Sequence, residues 1–555
     1  MPLLIRNTRR ITEALFIGAL VARELSPTTV SEDYLACASL PGWPAPEDHS
    51  GPFSRKTCGD NIAEWLKDAS KALPNKCMKL LFKDSTPGNA ILSYLGCNEF
   101  CGREQGWYVN TDALERVLTW IFPVFFLLFN LKLPAIGWER LFAITHALGD
   151  PIDSVWSLLD KMYAWDKCYS FAEEFVMEEQ SVGEREVVGE AERLERVKII
   201  ATTFAGIEEI IGHGPDSESK YWEIATSFCL MKTPDFDEWR RAAATLVDDR
   251  NNDFIRTGLA IALFIFQFFS ALVFDSNQVP PGGRLGSAMF LSWLIPLVLI
   301  NNIMGGVASR RTCLRTIIRL VENVRQSQGR AQDQNVERHH WDDYFGRLYS
   351  TGAIYISRPH KFQVMRQAKG KEKIFRVVLP FFSTLVVIFG FIPAFYIHWM
   401  AYPNGFSCRH LWIIGVFCAW IISPILTTIS QALTKYKYWI WFILAKDTLI
   451  GFGSVLILSL SVAGLYNSCF CWSLTLWLGE ANAYFPLNTT PVYALYGRTI
   501  YLYTIISFLL AQIAFVIVVA VFFRRGLWLW RYGEDRKRAI WNKLEGTWIL
   551  DILKV

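Results

Sequence analysis

Three aspartates, Asp248, Asp249 and Asp253, lie directly before an apolar run that begins at residue 255. Clustered carboxylates can hold Mg²⁺ for a diphosphate substrate, which is chemistry suited to a membrane-embedded lipid- or isoprenoid-modifying enzyme. Such an enzyme needs a second acidic motif, and the sequence HHWDD at 339–343 is the one candidate. The same aspartates also suit a solvated turn that caps the following helix.

Lys446 and Asp447 form the one charged pair inside an apolar run of the sequence. If that span begins at Trp439, Lys446 lies about 10 Å deep at the helical rise per residue. If the span begins at Thr448, both charges lie at the membrane interface, and Lys446 reaches water along its aliphatic stem. An intramembrane charge indicates function, and the sequence leaves both positions open.

Asn301 and Asn302 are neighbouring amides in the third apolar run. Amide side chains commonly pack one membrane helix against another, which is the first interpretation of this pair. The alternative is that Asn301, Asn302 and Lys446 line the path of a channel or transporter.

Eight cysteines fall in segments that we predict to face an oxidising compartment, where disulfides form. All eight are disulfide candidates: Cys37, Cys58, Cys77, Cys97, Cys101, Cys408, Cys469 and Cys471. Five of them lie in the N-terminal segment, and this odd number predicts that one pairs with an outer loop. The sequence does not assign the pairs. The spacing of Cys97 and Cys101 suits zinc, but a second pair at metal spacing is missing, so disulfides are favoured over a metal.

The common motifs of phosphate and nucleophilic chemistry are absent from the sequence. It contains no P-loop, no His-Glu-x-x-His and no Gly-x-Ser-x-Gly. We therefore assign no catalytic residue, cofactor or metal site, and we favour a protein that is not an enzyme. The sequence also lacks a nucleic-acid-binding motif, so nucleic acid is not an expected partner.

Seven long apolar runs dominate the 555-residue chain, which is 52% apolar. They lie near 117–132, 255–274, 287–307, 377–400, 411–433, 441–466 and 500–523. A helix needs about 20 residues to cross about 30 Å of hydrocarbon. The sequence therefore predicts an all-α polytopic membrane protein with seven spans, embedded in the lipid bilayer.

The loops between these runs alternate in charge. Residues 310–376 hold fifteen Lys/Arg against six Asp/Glu, whereas 275–286, 401–410 and 467–499 hold few basic residues. Because Lys and Arg concentrate in cytoplasmic loops, we expect the N-terminus outside, the C-terminus in the cytosol, and a location in the plasma membrane or the secretory endomembranes. Asn488 then offers an N-glycosylation site outside, and the basic loop binds anionic inner-leaflet lipids.

The N-terminus has the pattern of a secretion signal, with Arg6, Arg9 and Arg10 before a short apolar stretch. The predicted order is a signal peptide (1–22), a small disulfide-bearing outside domain (23–116), span one (117–132), a helical cytosolic domain or extended hairpin (133–254), spans two and three (255–307), a basic cytosolic loop (308–376), spans four to six (377–466), an outside loop (467–499), span seven (500–523) and a cytosolic tail (524–555).

Two stretches carry a family resemblance. One runs from Gly149 to Leu159 (GDPIDSVWSLL), and the other runs from Phe254 to Cys313 through the loop Gly282-Gly283-Arg284. From the first span onward, the chain resembles uncharacterised multispanning integral membrane proteins of filamentous fungi. The resemblance implies a fungal membrane protein, and it carries neither an activity nor a site residue.

Three functions fit this organisation. The first is a sensor or scaffold that links the outside domain to a cytosolic protein partner. The second is a channel or transporter, and the third is the metal-dependent enzyme described above. Proton- and ion-coupled carriers usually need charged residues within their spans, and these spans have none in their middles apart from Lys446 and Asp447. The sensor or scaffold is therefore the leading hypothesis.

Overall fold

The computed structural model is mostly helical. It describes residues 32–44, 55–69, 73–84, 90–101, 111–131, 138–182, 189–211, 236–248, 254–274, 282–304, 310–327, 371–487 and 499–530, apart from residues 42, 402, 434, 435, 465 and 467. Five of its helices are long and apolar enough to cross a membrane. The prediction of a helical, multi-pass membrane protein is confirmed at this level.

The elements follow the chain in this order: α1 (Glu32–Ala38), α2 (Arg55–Ala69), α3 (Asn75–Leu81), β1 (Phe82–Asp84), β2 (Ile91–Ser93), α4 (Tyr94–Cys101), α5 (Thr111–Phe129), α6 (Trp138–Gly149), α7 (Pro151–Val182), α8 (Glu190–Ile211), α9 (Phe236–Asp248), α10 (Phe254–Phe274), α11 (Gly282–Phe290), α12 (Leu294–Met304), α13 (Arg310–Ser327), α14 (Lys371–Trp399), α15 (Cys408–Leu433), α16 (Tyr436–Ala463), α17 (Cys469–Trp472), α18 (Thr475–Leu478), β3 (Tyr484–Pro486), α19 (Leu502–Phe522) and α20 (Arg524–Leu529).

The chain divides into two compact units. The first, here called the cross-linked unit, combines Met1–Tyr108 with Gly405–Cys408 and Leu465–Thr489. The second, here called the membrane unit, contains Val109–Asn404, Arg409–Gly464 and Thr490–Val555. The predicted outside domain and parts of two predicted outside loops, 401–410 and 467–499, therefore form one compact body, although long stretches of sequence separate them.

Four disulfides hold the cross-linked unit together, and they use all eight candidate cysteines. The pairs are Cys37–Cys77, Cys58–Cys101, Cys97–Cys469 and Cys408–Cys471. Cys97–Cys469 joins the N-terminal segment to the loop after α16, which confirms the expectation drawn from the odd number of N-terminal cysteines. A cross-link between such distant positions removes much conformational freedom from the unfolded chain.

A three-stranded antiparallel sheet forms the centre of the cross-linked unit, in the order β1-β2-β3. Leu92 on β2 lies opposite Phe82 on β1 and Phe485 on β3, and all three side chains are buried. Phe100 from α4 packs against Phe82, with ring centroids 5.7 Å apart. The core is small, so the disulfides supply much of what keeps this unit folded.

The five candidate spans are Leu285–Met304, Val377–Trp399, Cys408–Ser430, Trp441–Ala463 and Thr499–Phe522. They coincide with the third to seventh predicted spans. Seven spans are not confirmed. Helix α5, the predicted first span, begins with Asp112, Glu115 and Arg116, so only the part from Val117 to Phe129 is apolar. On α10, the predicted second span, the described apolar part runs from Ile255 to Phe269 and is shorter than a crossing requires.

The third predicted span is interrupted and lies at the centre of the membrane unit. At the junction of α11 and α12, backbone hydrogen bonds reach back three residues instead of four. The Ser292 N–H donates to the Met289 carbonyl, and the Ile295 N–H donates to the Ser292 carbonyl. Pro296 explains this interruption, because proline has no N–H to donate to the Ser292 carbonyl and its ring would clash with that carbonyl in a regular helix. Nearly all residues of this span are buried inside the protein.

Helices α6 to α9 occupy the stretch predicted as a cytosolic insertion, and they belong to the membrane unit. Helix α6 packs along α16, and α7 packs against α14. Further along the chain, α7 and α8 pack against each other and against the short α20, while α8 and α9 pack against α13. We call α7, α8, α9, α13 and α20 the helical layer.

Several predicted features lie outside the described residues. These are the signal peptide at 1–22, the glycosylation candidate Asn488, two of the acidic candidates (Asp249 and Asp253), the motif at 339–343, most of the basic loop and most of the C-terminal tail.

Candidate functional site

Lys446 and Asp447 lie on α16 and are buried, with 8% and 1% of their surfaces exposed. Trp441 and Leu449, on the same helix, are 66% and 69% exposed. Large apolar side chains therefore face outward on both sides of the charged pair along the helix. Lys446 lies about 8 Å from Trp441 along the helix axis. This arrangement supports the deeper of the two positions that the sequence left open.

The partners of the charged pair come from the junction between α6 and α7. Lys446 Nζ lies 2.9 Å from Asp150 Oδ2 and 2.6 Å from Asp447 Oδ1. His146 Nδ1 lies 2.6 Å from Asp447 Oδ2, and its Nε2 lies 3.5 Å from Asp153 Oδ2. All five side chains are buried. We call these five residues the polar cluster.

Asp150 is the most heavily bonded carboxylate of the polar cluster. Besides Lys446, the hydroxyls of Ser423 and Thr427 on α15 donate to its Oδ2, at 2.7 Å and 3.3 Å. Its Oδ1 accepts from the backbone N–H of Asp153 at 3.0 Å, which is the bond of a helix N-cap. Pro151 follows as the first residue of α7, a position that suits proline. The local sequence thus begins α7 and brings the Asp150 carboxylate into contact with α15 and α16.

A close approach between α6 and α16 brings the polar cluster together, and glycines permit it. A Cβ on Gly149 would lie 2.2 Å from the carbonyl oxygen of Asp447. A Cβ on Gly451 would lie 3.2 Å from the carbonyl oxygen of Thr145. A larger residue at Gly149 would collide with backbone, and the two helices would have to separate.

The charge of the polar cluster depends on the protonation of His146. In formal charges, one lysine and the three aspartates Asp150, Asp153 and Asp447 sum to two negative charges, and a protonated imidazole reduces this to one. A buried charge without a partner is costly in an apolar environment. His146 Nδ1 is hydrogen-bonded to Asp447, whereas Nε2 lies only within ion-pair distance of Asp153 and has no hydrogen-bond partner among the described residues.

A second buried group of charges lies in the helical layer. Lys161 Nζ on α7 lies 2.6 Å from Glu209 Oε2 on α8, and the Trp165 indole N–H donates to Glu209 Oε1 at 3.2 Å. Glu208 is buried beside this ion pair. Burial, together with the neighbouring Glu209 carboxylate, raises the pKa of Glu208 to about 8. We call Glu208 and Glu209 the carboxyl pair.

The interrupted helix carries further buried polar groups. The Gln512 side chain on α19 donates through Nε2 to Ser292 Oγ at 2.6 Å. Gln512 Oε1 and the indole N–H of Trp293 are buried and have no hydrogen-bond partner among the described residues. Buried polar atoms are nearly always paired, so these two require an explanation.

Trp420 on α15 connects the interrupted helix to the polar cluster. Its indole N–H donates to the Leu148 carbonyl at 3.0 Å, two residues before Asp150. Its ring stacks on Phe290 at the end of α11, with centroids 4.8 Å apart and an interplanar angle of 8°. The ring of Trp293 packs edge-on against the ring of Trp420, with centroids 5.5 Å apart. One side chain therefore contacts both features.

The structure places the other predicted site residues apart from the polar cluster. Asn302 donates to the carbonyls of Asn130, at 3.2 Å, and Val298, at 2.9 Å, so it packs α12 against the end of α5. Asn301 is fully buried on the same helix. Asp248 is exposed at the end of α9; because Asp249 and Asp253 lie outside the described residues, the metal-dependent enzyme stays a prediction.

The cysteines of the alternative zinc site are bonded in disulfides in this structure. The sulfur atoms of Cys97, Cys101 and Cys469 lie within 4.8 Å of one another. Each of them belongs to a disulfide, so none offers the thiolate that zinc requires.

Sequence reasoning missed His146, Asp150 and Asp153. Their signal was present as polar residues at helical spacing in an otherwise buried apolar pattern formed by Ala143, Ala147, Ile152, Val155, Leu158 and Leu159. From the sequence, we predict that this segment belongs to a cytosolic domain, where buried charges are not expected.

No protein-family model matches this chain, and no curated protein or solved structure matches it significantly. The resemblance to fungal membrane proteins therefore stays a prediction, and the function must be argued from the site.

Proposed function

We propose that this chain is a proton-coupled membrane transporter and that His146 carries the coupling proton. The observation that carries this proposal is the position of His146: it is buried between Asp447, which lies within the candidate span Trp441–Ala463, and Asp153 on α7. Ionisable groups inside membrane proteins mark proton relays and substrate pathways. Histidine is the side chain whose ordinary pKa allows it to exchange a proton near neutral pH.

Protonation of His146 has a mechanical consequence. With the proton bound, the imidazolium bridges Asp447 and Asp153 and holds the α6–α7 junction against α16. Without it, the imidazole has one N–H for two carboxylates, and the polar cluster keeps two uncompensated negative charges in place of one. Repulsion between Asp447 and Asp153 then favours separation of α7 from α16. Binding and release of a proton therefore bias two arrangements of the helices, as a coupled transporter requires.

Proton flux into vesicles tests this proposal without knowledge of the solute. The purified protein is reconstituted into liposomes that contain a pH-sensitive dye, and a potassium diffusion potential drives proton entry. We expect proton entry well above that of empty liposomes, and His146→Gln reduces it about tenfold or more, because the amide does not titrate. His398→Gln, which replaces a buried histidine on α14, keeps the flux of the wild type. Wild-type flux equal to that of empty liposomes would falsify the proposal.

We propose seven crossings, with the N-terminal segment outside and the C-terminus in the cytosol. Packing within the helical layer supports this topology: α7 and α8 contact α20, which follows the last span, and α8 contacts α13, which precedes α14. The cross-linked unit includes the residues directly before α15 and directly after α16. In this topology the chain crosses once between residue 108 and α7, and α9 and α13 lie on one side, which two crossings by α10 and by Leu285–Met304 satisfy. Disulfides in the cross-linked unit support an oxidising outside compartment.

Anionic lipids remain the proposed partner of the basic loop. On α13, where this loop begins, Cys313, Ile317 and Leu320 are buried, whereas Arg315 and Arg319 are not. Two arginines outside the buried face support contact with a negatively charged leaflet, at about 1 kcal/mol each near the surface. Weaker flotation of Arg315→Gln/Arg319→Gln protein with phosphatidylserine vesicles would agree with this partner.

A sensor or scaffold is the second candidate, and one observation favours it. Disulfides fix the start of α15, at Cys408, and the residues after α16, at Cys469 and Cys471. These two spans carry Lys446, Asp447, Ser423 and Thr427, so a ligand that reshapes the cross-linked unit would act on the helices around the polar cluster. Capture of a cytosolic protein that depends on an intact Cys97–Cys469 disulfide, without proton flux, would favour this candidate.

A further inference from the structure

We infer that the junction of α11 and α12 is a binding site for a small uncharged solute of the amide class. This inference rests on the proposed function, because it names the solute that the proton cycle would carry. It depends on the interrupted helix, the unpaired polar atoms around it and the contact of Trp420 with both this junction and the α6–α7 junction.

The interruption itself is suited to binding. Non-helical backbone at membrane depth is tolerated where it is buried in protein or lines a cavity, and transporters place their substrates at such interrupted helices. Here the backbone bonds of Leu291 and Ser292 reach back three residues, to Ala288 and Met289. On the other side, Gly390 of α14 allows close approach, since a Cβ there would lie 2.9 Å from the Phe290 carbonyl oxygen.

The side chains near this junction offer both a donor and an acceptor without partners. The indole N–H of Trp293 is a donor, and Trp412, whose ring lies 5.5 Å from that of Phe290, also has an unpartnered indole N–H among the described residues. Among the described residues, the side-chain amide of Gln512 is bonded at one end only. Whichever way its amide is oriented, Ser292 satisfies one end, and the other has no partner among the described residues.

These groups select for the chemistry of the solute. A molecule with a carbonyl oxygen and an N–H group in one plane can accept from an indole and bond to the free end of Gln512. The stacked rings of Phe290 and Trp420 suit a flat, weakly polar face. An ion would have to leave water for a site built from neutral groups, so a neutral solute is favoured.

Trp420 provides the link to the proton cycle. Its ring packs on both sides of the interruption, and its indole N–H holds the Leu148 carbonyl next to Gly149 and Asp150. A movement of the α6–α7 junction that breaks this hydrogen bond also moves the ring that contacts Phe290 and Trp293. The two sites therefore share one rigid side chain, through which solute binding and protonation act on each other.

Acetamide flux tests the site directly. Proteoliposomes are mixed rapidly with a solution of acetamide, which creates an inward acetamide gradient. Light scattering follows the change in vesicle volume, with and without a proton gradient. We expect solute entry faster than in empty liposomes, and Gln512→Met slows it at least fivefold because the thioether keeps the shape but loses the amide. Gln267→Met, a half-buried glutamine on α10, serves as the matched control and keeps the wild-type rate.

A second variant protects the test against misfolding. Trp293→Phe keeps the ring contact with Trp420 but removes the indole N–H, and we expect slower acetamide entry from protein that elutes as a single species. Wild-type entry no faster than in empty liposomes overturns the inference, and so does unchanged entry in Gln512→Met or Trp293→Phe. If acetamide entry depends on Gln512 but His146→Gln has no effect on proton flux, the site stands and the proton-coupled function fails.

Discussion

Lys446 in the polar cluster and Lys161 in the helical layer are both buried lysines, and each lies 2.6 Å from a carboxylate. In both places a further titratable group lies beside the ion pair. In the helical layer this group is Glu208, whose pKa of about 8 keeps it protonated and neutral at neutral pH. The charges there are balanced by one lysine and one glutamate, and α7 and α8 stay joined by Lys161 and Glu209.

In the polar cluster the titratable group itself bridges two helices. His146 lies within ion-pair distance of Asp447 on α16 and of Asp153 on α7, so the proposed release of its proton would change the contact between these helices. Glu208 and its neighbour Glu209 lie on the same helix, so its titration changes a charge without breaking a bond between helices. This difference separates a group suited to coupling from one that only tolerates burial, and the predictions below test it.

The largest effect is expected from Lys446→Met. This substitution leaves Asp150 and Asp447 buried without their lysine, and breaking a buried pair in this way costs about 3–5 kcal/mol. We expect a large fall in the thermal unfolding temperature in detergent. The double variant Lys446→Met/Asp150→Asn recovers part of the loss, because one of the two unpaired carboxylates is gone. If Lys446→Met unfolds at the wild-type temperature, the polar cluster does not hold the helices together.

Gly149→Ala disturbs the contact between α6 and α16 through packing instead of charge. The added Cβ would lie 2.2 Å from the Asp447 carbonyl oxygen, so α6 has to move away from α16. Overpacking of this kind costs about 1–3 kcal/mol. Gly453→Ala is the matched control on α16, since a Cβ there meets nothing within 4 Å, and we expect it to be neutral or slightly stabilising. Equal unfolding temperatures for the two variants would contradict the close approach that we describe.

The spans and the cysteines could be predicted because each follows from a local property. Uninterrupted apolar length is enough to identify a helix such as α19, and compartment chemistry is enough to expect disulfides among Cys97, Cys101 and their partners. The interruption after Phe290 was not predicted, although Pro296 removes the N–H that a continuous helix would donate to Ser292. The polar cluster was not accessible, because it depends on contacts between residues about 300 positions apart.

Assignment of 133–254 to the cytosol hid the candidate site. Once that segment was treated as an insertion, His146 and Asp150 were ordinary solvated residues, and Lys446 had no visible partner. The short apolar pattern of α6 cannot by itself distinguish a helix in water from one packed among spans. Only the packing of α6 along α16 turns Lys446-Asp447 from an isolated pair into part of a network.

The smallest expected effect belongs to Glu208→Gln, and it depends on pH. The folded protein keeps the Glu208 proton up to a pH of about 8, whereas the unfolded chain loses it near 4.5. Folded protein thus binds more protons between these values, and stability falls as the pH rises through this window. We expect wild-type protein to lose about 2 kcal/mol more stability than Glu208→Gln between roughly pH 6 and 8. Unfolding temperatures measured across this range check the prediction, with Glu192→Gln, an exposed position on α8, as the control. Parallel pH profiles for wild type and Glu208→Gln would mean that Glu208 is already ionised at neutral pH. The helical layer would then no longer differ from the polar cluster by holding a neutral titratable group.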